Sequence, residues 1–218
     1  MNEKTRLPKS TQRIAIIGRT GSGKTVAGLW HLSNANFSVK PWIVFDYKTD
    51  EHINSIEGAE HIDLSFIPKK KGIYIVHPLP SQESEVTDYL WKLWAKENIG
   101  IYIDEGYMLG NNPAFEGCLT QGRSKHIPMI VLTQRPNWIS RFVFSESDFY
   151  QIFHLNDKRD RKTVESFVPA NLNLRLPDYH SYYYDVGRNS MVVFSAVPDA
   201  QKTVDKINEG LQPKKRIF

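Results

Sequence analysis

Near its amino terminus the chain reads Gly18-Arg19-Thr20-Gly21-Ser22-Gly23-Lys24-Thr25. This stretch fits the pattern G-x-x-x-x-G-K-[ST], and it directly follows an apolar run, Ile14–Ile17, that is typical of a buried parallel strand. Glycines let successive backbone N–H groups point at phosphate oxygens, and the positive end of the following helix dipole adds to the attraction. The stretch therefore predicts a phosphate-binding loop rather than a glycine-rich turn with no ligand.

Two residues at the end of this stretch carry the chemistry expected of a triphosphate site. The Lys24 ammonium would neutralise the β and γ phosphates, and the Thr25 hydroxyl would be a ligand of Mg²⁺. We therefore expect residues 18–26, which end at Val26, to surround the phosphates of ATP bound together with Mg²⁺.

The length and composition of the chain are those of an ordinary globular protein. Its 218 residues can bury a large core, and 28 Lys and Arg against 24 Asp and Glu leave a net charge of +4. This charge permits a nucleic-acid partner without requiring one.

The single cysteine, Cys118, excludes an internal disulfide and a cysteine-based metal site. With no signal peptide and no apolar run near the ~18 residues that span a bilayer, we expect a cytoplasmic protein.

Short apolar runs alternate with helix-like stretches, which predicts a mostly parallel α/β sheet with helices on both faces. The clearest helix runs from about Glu83 to Glu97, and after Pro177 the pattern changes to a β-hairpin with a glycine-containing turn. We expect one domain over residues 1–218, with a core at about 12–176 and the hairpin and tail at about 177–218. Strands are predicted at Arg13–Ile17, Pro41–Phe45, Gly72–Val76, Ile99–Ile103, Pro128–Thr133 and Tyr150–His154.

An apolar strand in the middle of the chain ends in two adjacent carboxylates, Asp104 and Glu105. If this strand lies near the strand of the phosphate loop, Asp104 can hold Mg²⁺ directly or through water. Glu105 would then stand beside the γ-phosphate as the general base or as the residue that orients the attacking water. A solvated turn is the alternative for such a pair taken alone, and the upstream loop favours catalysis.

The strand that closes with Thr133-Gln134-Arg135-Pro136 supplies a third element. A strand of this kind often lies between the phosphate-loop strand and the acidic strand, so a polar residue at its end can touch the γ-phosphate. The Gln134 amide suits this place, because it can donate to a phosphate oxygen and accept from a water at once. Without the other two motifs, a glutamine that merely closes a strand would be the simpler interpretation.

Taken together, four segments of the chain resemble the FtsK/HerA superfamily of DNA-pumping ATPases. Members of that superfamily show a phosphate loop, a strand ending in Asp-x-Lys, an acidic Asp-Glu strand, and a Gly-Arg turn leading into a strand that closes with Thr-Gln-Arg-Pro. The resemblance covers roughly residues 12–165 and implies a RecA-like fold. In its short length the chain is similar to the genome-packaging ATPases of icosahedral viruses with an internal membrane. The segments are Gly18–Thr25, Val44–Asp50, Ile101–Glu105 and Gln121–Pro136.

The resemblance implies a homo-oligomeric ring, a hexamer or a pentamer, in which each nucleotide lies between subunits. An arginine of the neighbouring subunit then completes the site and stabilises transition-state charge. Arg123 is the first candidate, because it matches the superfamily's Gly-Arg turn, and Arg141 and Arg159 are the alternatives. A surface salt bridge is the other role open to each of these arginines.

The resemblance also implies that loops facing a central pore grip the phosphate backbone of double-stranded DNA. Two segments are candidates, Gly106–Glu116 and Arg135–Arg141, and the second includes Trp138. Either could instead be a subunit contact. The basic tail, Lys214-Lys215-Arg216, could grip DNA, dock on a capsid protein or stay solvated. The candidate donors of the first segment are Tyr107, Asn111 and Asn112.

These motifs favour an ATP-hydrolysing motor that moves double-stranded DNA, foremost into a viral capsid, with a capsid or membrane-associated vertex protein as partner. A nucleoside or small-molecule kinase shares the phosphate loop, but Glu105 and Gln134 favour water as the acceptor. A filamentous-phage assembly ATPase shares the core and is expected to carry a membrane span. A protein that binds nucleotide only as a switch would have no need of Glu105.

Overall fold

The computed structural model describes residues 5–212, whose centre is a single β-sheet. Its strands are β1 (Arg13–Ile17), β2 (Pro41–Asp46), β3 (Glu60–His61), β4 (Gly72–Val76), β5 (Gly100–Asp104), β6 (Met129–Thr133), β7 (Phe149–Ile152), β8 (Ser181–Asp185) and β9 (Ser190–Phe194). Across the described residues the order of these nine strands is β3-β4-β2-β5-β6-β1-β7-β8-β9. Neighbours from β3 to β7 are parallel, and β8 and β9 continue the sheet as an antiparallel hairpin.

Helices cover both faces of this sheet. They are α1 (Lys24–Ser33), α2 (Glu51–Asn54), α3 (Glu83–Lys96), α4 (Pro113–Gln121), α5 (Phe142–Ser145), α6 (Lys158–Glu165) and α7 (Ala200–Leu211). Successive side chains of a strand point to opposite faces. Along β1, Ile14 and Ile16 therefore pack with α1 and α7, whereas Ala15 and Ile17 pack with α3 and α4. The sheet is buried on both sides, as its continuous apolar runs predict.

The predicted fold class is confirmed, and most strand ends agree to within a residue or two. The strand predicted at Tyr150–His154 is β7, which ends two residues earlier, and the hairpin after Pro177 joins the main sheet through β7 and β8. Strand β3 was not predicted, because two exposed residues give no periodic signal. The proposed boundary near residue 176 stays a prediction. No helix within residues 5–212 has the length and apolar character needed to cross a bilayer.

The strand order determines where the predicted motifs meet. Strand β6 lies between β1 and β5, as the sequence predicted, and β2 lies on the other side of β5. Because these strands are parallel, the loops that follow them leave the sheet at one edge, which we call the carboxyl edge. The opposite edge, where the strands begin, is called the amino edge. Ligands of open α/β sheets bind at the carboxyl edge.

A buried polar contact ties α1 to the sheet below it. His31 of α1 is almost fully buried, and its Nε2 atom lies 2.8 Å from Oε1 of Gln151 in β7. The Gln151 amide donates onward to the Ser181 hydroxyl of β8 at 3.0 Å. Burial lowers the pKa of His31 from 6.5 to about 4, although the Gln151 contact opposes the shift. His31 is therefore neutral in the folded protein at physiological pH.

This buried histidine should make the fold sensitive to acid. Between pH 6.5 and about 4 the unfolded chain binds a proton at His31 that the native state does not bind. We expect the free energy of unfolding to fall as the pH decreases through this window, by at most about 1.4 kcal/mol per pH unit from this group. Urea unfolding at several pH values measures the slope. The control His31→Gln should show a shallower slope, and equal slopes in both proteins would contradict the assignment.

Candidate active site

The phosphate loop connects β1 to α1 at the carboxyl edge. Gly21 and Gly23 have φ angles of 74° and 92°, which are left-handed values that favour glycine. Gly23 also lies directly before α1, and a Cβ atom there would stand 3.1 Å from the ring of Tyr179. The backbone path of the loop therefore favours glycine at positions 21 and 23, and the amino-terminal end of α1 lies directly at the loop.

Lys24 is the first residue of α1, and its side chain folds back over the loop. Its Nζ atom donates to the main-chain oxygen of Arg19 at 3.1 Å. Burial lowers the pKa of Lys24 to about 8, while the nearby Asp104 carboxylate opposes the shift and the Lys48 ammonium adds to it. The amine is thus a partly desolvated cation, and removal from water strengthens its attraction for an anion.

Asp104 and Glu105 stand at the end of β5, as predicted, and both are buried. Their side chains are 1% and 2% exposed. Within residues 5–212, Oδ1 of Asp104 and Oε2 of Glu105 have no hydrogen-bond donor, whereas Oε1 of Glu105 accepts from the Lys48 ammonium. Burial raises the pKa of Asp104 to about 6, and the positive charges of Lys48 and Lys24 limit the rise. Unpaired buried oxygens are rare, and this pair is suited to binding a cation and a water.

The described part of the chain holds no group of three or more His, Cys, Asp or Glu side chains arranged as a metal site. A magnesium site of the predicted kind does not need one. Mg²⁺ keeps several waters and uses one or two carboxylates together with substrate phosphates. The unpaired oxygen of Asp104, beside the loop that ends at Thr25, fits this requirement.

Gln134 follows β6 and lies between the phosphate loop and the acidic pair. The Thr20 hydroxyl of the loop donates to Oε1 of Gln134. The half-buried amide therefore touches the loop itself. The structure brings Lys24, Asp104, Glu105 and Gln134 to one edge, where the sequence predicted them.

Arg123 lies at the amino edge, away from the phosphate loop. It follows α4 and forms an ion pair with Asp148, the residue before β7, and its side chain is 62% exposed. An arginine at this edge cannot reach the nucleotide site of its own subunit. The alternatives are placed elsewhere: the Arg141 guanidinium stands 5.2 Å from the Phe167 ring, and Arg159 is exposed in the first turn of α6.

The two segments predicted to face DNA touch each other. The rings of Tyr107 and Trp138 meet edge to face with centroids 6.2 Å apart, and the Arg135 guanidinium lies 5.3 Å from the centroid of Trp138. Trp138 and Asn111 are exposed. The prediction was wrong for Asn112, because its buried side chain accepts from the first N–H groups of α4 and caps that helix. The basic tail, Lys214-Lys215-Arg216, lies outside the described residues.

Two features of the site gave no clear signal in the sequence. The first is Lys48, which follows β2 and reaches Glu105 across the sheet. The second is an apolar cleft of about 310 Å³ beside the loop, formed by residues far apart in the chain. Its walls include Gly23, Val26, Phe153, Tyr179, Val197 and Pro198. The Asp-x-Lys match pointed to Lys48 without assigning it a role, and nothing local in the sequence marks the cleft.

The fold and this site define a P-loop nucleoside triphosphatase with a RecA-like sheet. No protein-family model matches the chain. The chain is 50% identical over 224 residues to the DNA packaging ATPase P9 of Enterobacteria phage PRD1, and the match covers 97% of this chain and 99% of that protein. The chain therefore belongs to the family of this packaging ATPase, among the FtsK/HerA-like P-loop ATPases, which confirms the resemblance seen in the sequence.

Solved structures share the fold at low sequence identity. The genome packaging NTPase B204 of Sulfolobus turreted icosahedral virus 2, in complex with AMPPCP, has a TM-score of 0.71 at 17% identity and covers 87% of this chain and 100% of its own. VirB4 of Thermoanaerobacter pseudethanolicus has a TM-score of 0.66 at 8% identity and covers 86% and 89%. The sheet is therefore common to proteins with little sequence in common.

The site geometry predicts different defects for its two central residues. Lys24→Ala should abolish nucleotide affinity, because the ammonium over the loop is the group expected to neutralise the β and γ phosphates. Glu105→Gln should bind ATP and hydrolyse it at least about a hundredfold more slowly, the scale of a lost general base. Titration with a fluorescent ATP analogue and measurement of phosphate release separate the two steps. Equal loss of binding in both variants would refute this division of roles.

Proposed function

We propose that the protein is a motor that hydrolyses ATP to move double-stranded DNA into a viral capsid. The observation that carries the proposal is the group of Lys24, Asp104, Glu105 and Gln134 at one edge, in a chain 50% identical along its length to a DNA packaging ATPase. This identity supports the motor over the kinase and filament-assembly alternatives. Its place of action is the host cytoplasm, at a capsid vertex, with a capsid or membrane-associated protein as partner.

The chemistry proposed for the site follows from the contacts of its residues. Lys24 would neutralise the β and γ phosphates, and Thr25 and Asp104 would hold Mg²⁺, which would supply positive charge against the charge that develops on the phosphates. Oε2 of Glu105, which has no donor in the described chain, accepts a proton from the attacking water. Gln134 orients that water or the γ-phosphate. The apolar cleft beside Gly23 is suited to the base and ribose.

A head-to-tail ring accounts for the separation of Arg123 from its own nucleotide site. In such a ring each interface joins two different surfaces, so the carboxyl edge of one subunit can face the amino edge of the next. Arg123 is exposed at the amino edge and would then approach the neighbour's γ-phosphate. The ring size, hexamer or pentamer, is set by the angle between these two surfaces.

Mixtures of inactive subunits test completion of the site in trans. Arg123→Ala should leave ATP binding almost intact and remove turnover, and mixing it with Glu105→Gln should restore part of the activity at hybrid interfaces. The matched control is a mixture of Lys24→Ala with Glu105→Gln. It should stay inactive, because each change damages the site of the subunit that carries it and a neighbour cannot replace the lost group. Steady-state ATPase assays follow the rescue. Failure of the first mixture, together with full activity of a strictly monomeric form, would refute the ring.

Binding through the phosphate backbone predicts a strong salt dependence. ATPase activity should rise with duplex DNA of any sequence at low salt, and DNA affinity should fall by about 0.9 log units per log unit of salt for each phosphate neutralised.

Arg135→Gln should reduce the slope by about one phosphate if the Arg135–Arg141 segment grips DNA. Removal of residues 214–218 tests the basic tail in the same way. If a small phosphate acceptor stimulates ATP turnover and no duplex does, the result would favour a kinase.

A further inference from the structure

We propose that Lys48 is a positioning residue for hydrolysis, which holds one carboxylate oxygen of Glu105 so that the other faces the attacking water. This inference rests on the function proposed above for Glu105. It assigns a task to the lysine of the Asp-x-Lys segment, which stands at the end of β2, next to the acidic strand β5.

The turn that carries Lys48 is built around a buried carboxylate. Asp46, the last residue of β2, is fully buried and pairs in register with Asp104 of β5. Its carboxylate accepts from the main-chain N–H of Lys48 at 3.2 Å and of Asp50 at 2.9 Å, and from the Asn54 amide at 3.2 Å. These bonds fix the backbone path after β2, so the direction in which the Lys48 side chain leaves the turn is also fixed.

The two oxygens of Glu105 have different surroundings. Oε1 accepts from the Lys48 ammonium, whereas Oε2 is buried and has no donor within residues 5–212. Glu105 itself has a φ angle of 58°, so its backbone is held in the left-handed region at the start of the following turn. An engaged Oε1 prevents rotation of the carboxylate, and Oε2 is left as the acceptor. Lys48 therefore orients the base without touching the reacting water.

The contact is placed where a change can be made without disturbing the core. The Lys48 side chain is 42% exposed, whereas the carboxylate that it holds is 2% exposed. Removal of the ammonium takes away an oriented partner and leaves the sheet packing intact. Small errors in the position of a reacting group cost about a hundredfold in rate, so the loss should appear in turnover.

The test compares Lys48→Met with Lys48→Arg. In Lys48→Met we expect kcat to fall by about 10- to 100-fold, with KM and affinity for a non-hydrolysable ATP analogue within about twofold. Lys48→Arg keeps the cation and should recover most of the rate. In the double-mutant cycle, Lys48→Met should cost little more in a Glu105→Gln background, because its effect passes through that carboxylate. Lys92→Met, which removes an exposed lysine of α3, is the control and should match the wild type.

Each other outcome overturns a defined part of the inference. A faster Lys48→Met enzyme would mean that the ion pair restrains Glu105 instead of positioning it. A rate loss that is fully additive with Glu105→Gln, or weaker binding of the analogue, would mean that Lys48 acts on the nucleotide directly or through the charge of Asp104, and not by positioning Glu105. Wild-type hydrolysis by Glu105→Gln would refute the role proposed for Glu105 itself, whereas a slow Glu105→Gln with a normal Lys48→Met would refute only the inference about Lys48.

Discussion

The parallel register of the central strands is the constraint on which the site depends. Strands β2, β5, β6 and β1 are neighbours, with Asp46 opposite Asp104 and Thr133 opposite Ile17. Each strand end therefore delivers its loop at the same height on the carboxyl edge. A register slip of one residue would turn every side chain of a strand to the other face, and burial on both faces prevents such a slip. Core packing thus fixes the positions of the polar groups at the carboxyl edge.

The same burial gives the site its electrostatic character. Desolvation raises the pKa of Asp104 to about 6 and lowers that of Lys24 to about 8, so both charged forms are less stable than they are in water. Burial of these charged groups lowers the free energy of unfolding while no charged ligand is bound. The neighbouring charges, Lys48 and Lys24 beside the two carboxylates, limit that cost. In the proposed site a triphosphate would meet groups that are already desolvated and oriented, which would strengthen electrostatic stabilisation.

The sequence predicted what depends on local signals. The loop at Gly18–Thr25 and the acidic strand could be predicted because their patterns are contiguous, and the place of β6 between β5 and β1 followed from the fold class. The contact between Lys48 and Glu105 was not predicted, because it depends on which strands become neighbours. The sequence predicts Asn112 as a donor in an exposed loop, whereas the structure has it as the N-cap of α4. The position directly before Pro113 is typical of such a cap.

The separation of the two sheet edges bears on how a ring would assemble. At the amino edge Arg123 is already paired with Asp148. The Arg123 side chain is largely exposed to solvent, whereas that of Asp148 is not. The Asp148 side chain is only 11% exposed, but the Arg13 guanidinium also lies 3.8 Å from its carboxylate, so release of Arg123 toward a neighbour's phosphate does not leave that buried charge without a cation. Asp148 is held more firmly, because its carboxylate also accepts from the Arg13 main chain at 2.9 Å. In the proposed ring Asp148 would therefore keep its place, held by Arg13, while Arg123 exchanged this carboxylate for the neighbour's phosphate.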